Sequence, residues 1–242
     1  MNNTIIELLE RKSVRVYEDK QISAEDKETI ITASVNAPTA GCMQLYTILE
    51  ITDKKIQERL AVTCDNQPFI SEAKMVLIYL ADYRKWHNAY KLVGEPRNLG
   101  MGDVHLAMAD ACIAAQNAVT AAQSLGIGSC YIGDIIEQYE EVKEMLKLPE
   151  YVFPACMLVF GYPTKQQIER EKPKRVDNRY IHQINTYHDY SFEDYKDMWA
   201  HNTGGQISFE EYLSRQMNRK FNTDFGKEMS RSASLYFKDF DD

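Results

Sequence analysis

The sequence predicts an α+β fold with one central mixed sheet surrounded by helices, on three observations. Two strand-sized runs, AKMVLIYLAD at 73–82 and PACMLVFGYP at 154–163, are nearly continuously apolar. Such runs have no solvent-facing side and read as strands buried on both faces. Helical patterns outnumber strand patterns and separate them along the chain, which disfavours an all-β sandwich. The third observation is the stretch Asp103–Gly126, DVHLAMADACIAAQNAVTAAQSLG, which reads as one long buried helix. Eight of its first 23 residues are alanine and none is Lys, Arg or Glu. Small residues nearly all round let other elements, or another subunit, approach closely.

The remaining elements follow in order. Residues 4–11, TIIELLER, form a short amphipathic helix capped by Asn3 or Thr4. Ser23 with Asp26 is a capping pair that opens a helix over 24–35. Residues 36–44, NAPTAGCMQ, are a loop of small residues. LYTILEIT at 45–52 alternates as a strand, and KKIQERLAVT at 54–63 is a polar-faced helix. After the buried strand at 73–82, the aromatic and basic segment 83–100 predicts a surface helix and linker. Asp103 then caps the central helix and Gly126 ends it, glycine being the residue that turns left-handed without a steric penalty. The next residues, GIGSCYIGD at 126–134, read as a glycine-rich turn. Glu137–Leu146 is helical and ends before Pro149. Residues 164–190 are polar and irregular. Ser191 with Asp194 and Ser208 with Glu211 open two C-terminal helices. The tail after Gly226 is polar and predicted to pack poorly. No repeat or composition break divides the chain, so a single domain over 1–242 is expected, with a helical excursion at about 187–225.

Composition narrows the function. The net charge is −8 and the acidic residues are dispersed, which disfavours a nucleic-acid surface. The five cysteines, Cys42, Cys64, Cys112, Cys130 and Cys156, include no CxxC pair. They fit reduced cytoplasmic thiols better than a disulfide framework. No basic leader precedes a hydrophobic run, and the longest apolar run of the central helix, 111–115, is far below the roughly 20 residues of a membrane span. The five histidines show no HxxxH or HxH spacing, so no metal site is expected. No GxGxxG follows a strand and there is no GxxxxGK[ST] or GxSxG, so neither a Rossmann turn, a P-loop nor a nucleophile elbow is predicted.

What stands out in this acidic chain is cationic: Arg11, Lys12 and Arg15 around Ser13, and Lys172, Lys174 and Arg175 in KPKR. A phosphate needs several charge-assisted donors at once, and these residue types supply them. If 13–17 is extended, Ser13 and Arg15 share a face.

RKSVRVY resembles the Arg-x-Ser-x-Arg opening motif of the FMN-dependent nitroreductase superfamily. The loop APTAGCMQ, Gln67, the long helix leaving through LGIGSCYIGD, and the late KPK follow in the family's order. The set is most similar to the oxygen-insensitive NAD(P)H nitroreductase and flavin reductase subgroup, over about residues 3–176. The resemblance implies a nitroreductase-like fold and a homodimer with the central helix as its seam. It implies FMN as cofactor, NADH or NADPH as co-substrate, and ping-pong turnover with nitroaromatics, quinones or free flavins as acceptors. It places Arg11, Ser13, Lys172 and Lys174 at the FMN phosphate, and Lys12 at the phosphate or ribityl chain. Arg15 falls near the flavin N1–C2 carbonyl, Thr39 and Gln44 beneath the ring, and Gln67 at the pyrimidine edge. Tyr131, Ile132, Gly133 and Asp134 cover the flavin. No side chain is required as an acid–base catalyst, because the cofactor carries the hydride chemistry. Another flavin branch of the superfamily, dehalogenating or flavin-fragmenting, and a flavin-binding sensor without turnover are the alternatives.

Three positions and one stretch depart from the subgroup's pattern. Lys174 replaces an arginine, Asp134 a glycine, and Arg11 a histidine. The stretch 200–209, AHNTGGQISF, lacks the arginines expected of a 2′-phosphate reader, which argues against strict NADPH preference. Arg215 and Arg219 are the cations that could compensate.

Overall fold

The computed structural model of the chain describes residues 1–203 and 206–240. In chain order the elements are α1 Asn3–Glu10, α2 Ala24–Val35, β1 Tyr46–Glu50, α3 Lys54–Thr63, α4 Phe69–Glu72, β2 Met75–Asp82, α5 Arg84–Tyr90, α6 Met101–Ser124, β3 Gly128–Ile132, α7 Tyr139–Met145, β4 Val152–Gly161, α8 Lys165–Glu169, α9 Asn178–Ile181, α10 Phe192–Thr203, α11 Phe209–Gln216 and α12 Asp224–Phe237. They fall into two compact units, Met1–Arg170 with the chain from Glu228 onward, and Glu171–Lys227. The helical stretch expected at about 187–225 lies within the second.

The sheet of the first unit has the order β1-β2-β4-β3, with antiparallel neighbours throughout. Its parallel component is a single bridge between Ser13 and Ser129. Every residue of β2 is buried. Its alternate side chains enter two cores: Met75, Leu77 and Tyr79 pack with the alanines of α6, and Val76, Ile78 and Leu80 pack with Ile132, Phe153 and Tyr236. The alanine-rich pattern of α6 thus buries a smooth face against the sheet. Two buried hydroxyls tie that face down: Ser34 Oγ lies 3.0 Å from Tyr79 Oη and donates to the Ala114 carbonyl at 2.8 Å.

The structure corrects several local expectations. Asn2, not Asn3 or Thr4, caps α1, its Oδ1 accepting from the Ile5 N–H at 3.0 Å. Asp103 lies inside the first turn of α6 rather than at its cap. Its carboxylate accepts from the Gly100 N–H at 2.9 Å and pairs with Arg97 at 2.7 Å. Gly126 does adopt the left-handed conformation, φ +72°, just beyond the helix end. The stretch 126–134 is not a turn throughout: Gly128–Ile132 is β3, paired in register with β4. Its alternating Ser129-Cys130-Tyr131-Ile132 carries the strand, and Gly128 is required by packing described below.

The tail after Gly226 is also not loose. It forms most of α12, and Tyr236 and Phe240, four residues apart, are 2% and 3% exposed. Tyr236 meets Tyr139 edge-on at 4.7 Å between centroids, and Phe240 meets Tyr151 at 5.3 Å. The i, i+4 aromatic spacing buries one helix face despite a polar average.

Within the second unit, Ser191 and Asp194 cap α10 reciprocally, and Ser208 Oγ accepts from the Glu211 N–H at 3.1 Å to cap α11. The segment expected to be irregular contains the short helices α8 and α9.

Candidate active site

The cationic segment 11–17 leaves α1 and runs beside the β3 edge of the sheet. Val14 is buried while Arg15 is exposed, the alternation expected of extended chain. The Val14 N–H donates to the Ser129 carbonyl at 2.9 Å. Gly128 and Gly161 are cross-strand partners, and the segment closes on both. A Cβ on Gly128 would lie 2.5 Å from Val14 Cγ2, and one on Gly161 2.6 Å from Tyr17 Cδ1. Bare backbone at these two positions is what lets the segment pack so closely.

The chain from 163 to 170 holds the segment from the other side. Arg170 Nη2 donates to the Ser13 carbonyl at 2.5 Å, and the Arg15 N–H donates to Gln167 Oε1 at 3.3 Å. Lys12 Nζ donates to the Ile168 carbonyl at 2.7 Å and to that of Arg170. Two of the three ammonium donors of Lys12 are therefore committed to backbone. A cavity of about 290 Å³ lined by Lys12, Val14, Gln167 and Ile168 borders this contact and includes none of Arg11, Ser13, Arg15 or Gln67.

The guanidinium groups are differently placed. Arg11 Nε is buried with no hydrogen-bond partner among the described residues. Arg15 meets no carboxylate among them, and its guanidinium lies over the Phe69 ring at 5.7 Å. An unpartnered buried donor is costly, and an incoming anion would relieve it. Phe69 follows Gln67 by two residues. Gln67 Nε2 donates to the Cys64 carbonyl at 2.8 Å and to Asp134 Oδ2 at 2.7 Å. Arg11, Ser13, Arg15, Gln67, Tyr131, Ile132, Gly133 and Asp134 therefore form one connected neighbourhood around β3. Ile132 is 2% exposed and turns its side chain into the core, so only its backbone is available there.

Thr39 and Gln44 form a second set. Asp110 of α6, 2% exposed, organises it. One carboxylate oxygen accepts from the Ala40 N–H at 2.9 Å, and the other from the Leu45 N–H at 3.1 Å and from the Thr39 hydroxyl. Thr39 Oγ1 in turn accepts from the Gln44 N–H at 2.7 Å. These bonds hold Gly41, Cys42 and Gln44 in left-handed conformations, at φ +56°, +58° and +49°. Among the described residues no hydrogen bond joins this set to the first. Lys172, half-buried, and Lys174, exposed, lie in the stretch without regular structure that opens the second unit.

Sequence reasoning missed Asp110 as an organiser, along with the clamp from 163–170. The available signal was a lone carboxylate on the same helical face as Ala107, Ala111 and Ala114. It also missed Glu137, which is 2% exposed and whose Oε1 has no partner among the described residues. Burial, with Asp134, Asp65 and Glu228 nearby, pushes the Glu137 carboxyl up to about 7 from its ordinary 4.5. Folding then opposes its ionisation. The penalty is absent below pH 4.5, grows as pH rises towards 7, and is full above that. Glu137→Gln is expected to raise stability by about 1–3 kcal/mol at pH 8 and by almost nothing at pH 4. Thermal melts at the two pH values check this, and an equal gain at both would contradict it.

The Nitroreductase family model matches residues 8–162, well over half of the chain. The chain belongs to the nitroreductase family. The match takes in the end of α1, the cationic segment, the Asp110 loop and all four strands. A nitroreductase-family relative, the FMN reductase (NADPH) of Bacillus subtilis, is 31% identical over 77% of this chain and 75% of its own. A second FMN reductase of that organism, named for NAD(P)H, is 27% identical over 98% of this chain and 92% of its own. Among solved structures, Bacillus megaterium NfrA2 superposes with a TM-score of 0.81 at 28% identity, covering 96% of this chain and 98% of that one. The NADPH:FMN oxidoreductase from Vibrio harveyi shares the fold, with a TM-score of 0.83 at 23% identity and 98% of both chains covered.

Proposed function

We propose that this chain is an FMN-dependent NAD(P)H oxidoreductase of the flavin reductase and nitroreductase type, working as a homodimer. The observation that carries the reading is the segment 11–15. In an acidic protein it holds one buried guanidinium nitrogen without a partner and a second guanidinium without a carboxylate. These residues fit an anionic cofactor. Bound FMN supplies hydride transfer between a nicotinamide and an electron acceptor. Arg11 and Ser13 hold its phosphate. Lys12 chiefly braces the segment, with one donor left for the ligand. Arg15 supplies positive charge where negative charge develops on the ring, a preorganised electrostatic role. Gln67 meets the pyrimidine edge. The backbone of Tyr131, Ile132, Gly133 and Asp134 covers the ring, and the Thr39–Gln44 loop completes the site.

The unpartnered apolar side chains Ile5 and Leu8 of α1 and Leu106 and Ile113 of α6 are each more than 40% exposed. Such residues on adjacent helices support a homodimer seam along α6. A single domain over 1–242 carrying an excursion at about 187–225 is the organisation this reading assumes. The acceptors follow the family: nitroaromatics, quinones and free flavins. Among the described residues no helix is long and apolar enough to cross a membrane. All five cysteines are free, which supports a reducing, cytoplasmic setting. The nicotinamide reading leans towards NADH. Of the stretch 200–209, Gly204 and Gly205 lie outside the described residues. Arg215 is committed to Glu211 at 2.5 Å, and among the described residues Arg219 donates to Gln216 at 3.4 Å.

Arg11→Ala is expected to weaken FMN binding by roughly 10- to 100-fold, since hydrogen bonds to a charged group are worth about 1.5–3 kcal/mol. Riboflavin, which lacks the phosphate, should bind within threefold of wild type. Fluorescence titration of both flavins tests this. Equal loss for both would remove the phosphate role of Arg11.

A further inference from the structure

The Gln67 amide is fully committed on one side. Its Nε2 faces the Cys64 carbonyl at 2.8 Å and Asp134 Oδ2 at 2.7 Å. A backbone carbonyl can only accept, so the atom facing it must be the amide nitrogen. An amide nitrogen has two N–H donors, and both are used. The remaining atom, Gln67 Oε1, accepts no hydrogen bond among the described residues and is not among the buried atoms without a partner. It is therefore open to a ligand. Asp134 begins the turn that follows β3, and the turn is anchored in the core. Ile135 is fully buried and the Glu137 N–H donates to the Asp134 carbonyl at 3.0 Å. The carboxylate is thus a fixed acceptor aimed at Gln67.

We propose that Asp134 is a positioning residue that locks the Gln67 amide with its oxygen outward, so that Gln67 serves a bound flavin as an acceptor only. This rests on the proposed FMN site. The heteroatoms along the pyrimidine edge of an oxidised flavin are acceptors except N3, which carries a hydrogen. Gln67 is then specific for the N3–H, and the carbonyl oxygens must find their donors elsewhere, at Arg15 or backbone N–H groups. Without Asp134 one amide N–H is released and the bond to the Cys64 carbonyl alone holds the side chain, which can then exchange that single bond and turn to offer either a donor or an acceptor.

The experiment compares the affinity of the apoprotein for FMN and for 3-methyl-FMN, which has no N3–H, by fluorescence titration. An acceptor left facing a methyl group should weaken wild-type binding at least tenfold. In Asp134→Ala the preference for FMN should fall below threefold. Asp134→Asn, whose Oδ1 still accepts from Gln67, should restore it. Gln67→Ala removes the outward oxygen and should abolish the preference while FMN still binds, which keeps the test informative if Asp134→Ala does not fold. A wild-type preference below threefold, or a preference unchanged in Asp134→Ala, overturns the proposal. Failure of wild-type protein to bind either flavin instead overturns the FMN reading beneath it.

Discussion

Asp110→Ala is expected to destabilise the protein by roughly 2–4 kcal/mol and to release the loop 36–45. The carboxylate accepts from the Ala40 and Leu45 N–H groups at 2.9 and 3.1 Å and from the Thr39 hydroxyl. Leu45 is fully buried, so its N–H has no water to turn to once the carboxylate is gone. Ala40 is half-buried and loses less. The left-handed conformations at Cys42 and Gln44 are sustained by the same bonds, because non-glycine residues do not hold them unaided. Asp110→Asn keeps one acceptor and turns a donor towards one of the N–H groups, so it should fall between wild type and alanine. Denaturant unfolding gives the stability change, and limited proteolysis reports the loop. The variant should be cut within 36–44 under conditions that leave wild type intact. Full stability with an uncut loop would show that Asp110 does not organise it.

Gly128→Ala is expected to cost about 2–3 kcal/mol, the overpacking range, and to impair FMN binding as well. The added Cβ would lie 2.5 Å from Val14 Cγ2 and 2.7 Å from Val14 Cβ. The obstacle is a β-branched side chain fixed by its own backbone bond to Ser129, not the free end of a flexible one. Relief therefore requires the segment to lift from the sheet, and that segment carries Arg11, Ser13 and Arg15. A second substitution, Val14→Ala, removes the contacts with the two Cγ atoms and leaves the one with Cβ. The double variant should be more stable than the sum of the two single effects predicts, and should recover part of the FMN affinity. Strict additivity in the cycle would mean that the two positions do not press on one another.

These two positions also show what was legible from the sequence. The start of α2 was readable because Ser23 caps it through a short-range bond. The strand β2 was readable because burial on both faces leaves an unbroken apolar run from Met75 to Ala81. β3 was not, since its first residue, Gly128, and the cross-strand partner Gly161 of β4 answer to Val14 and Tyr17, more than a hundred residues away in sequence. The role of Asp110 was not legible, because its three partners lie in a loop 65–71 residues earlier. The tail was misjudged on average polarity, while Tyr236 and Phe240 already had the i, i+4 spacing of a buried face. The cationic segment stood out in the sequence from residue type alone, as a cluster of charge-assisted donors in an acidic chain. Its neighbours were not: the commitment of Lys12 to two carbonyls and of Gln67 to Asp134 depends on where the chain from 163 to 170 and the turn after β3 come to rest.

The most direct test of the account is a visible absorbance spectrum of the purified protein, followed by anaerobic addition of NADH and then, to a fresh sample, NADPH. The account predicts a flavin spectrum, intrinsic or after FMN is added, that bleaches with NADH at least as fast as with NADPH. A protein that takes up no FMN, or whose bound flavin stays oxidised with both nucleotides, would contradict it.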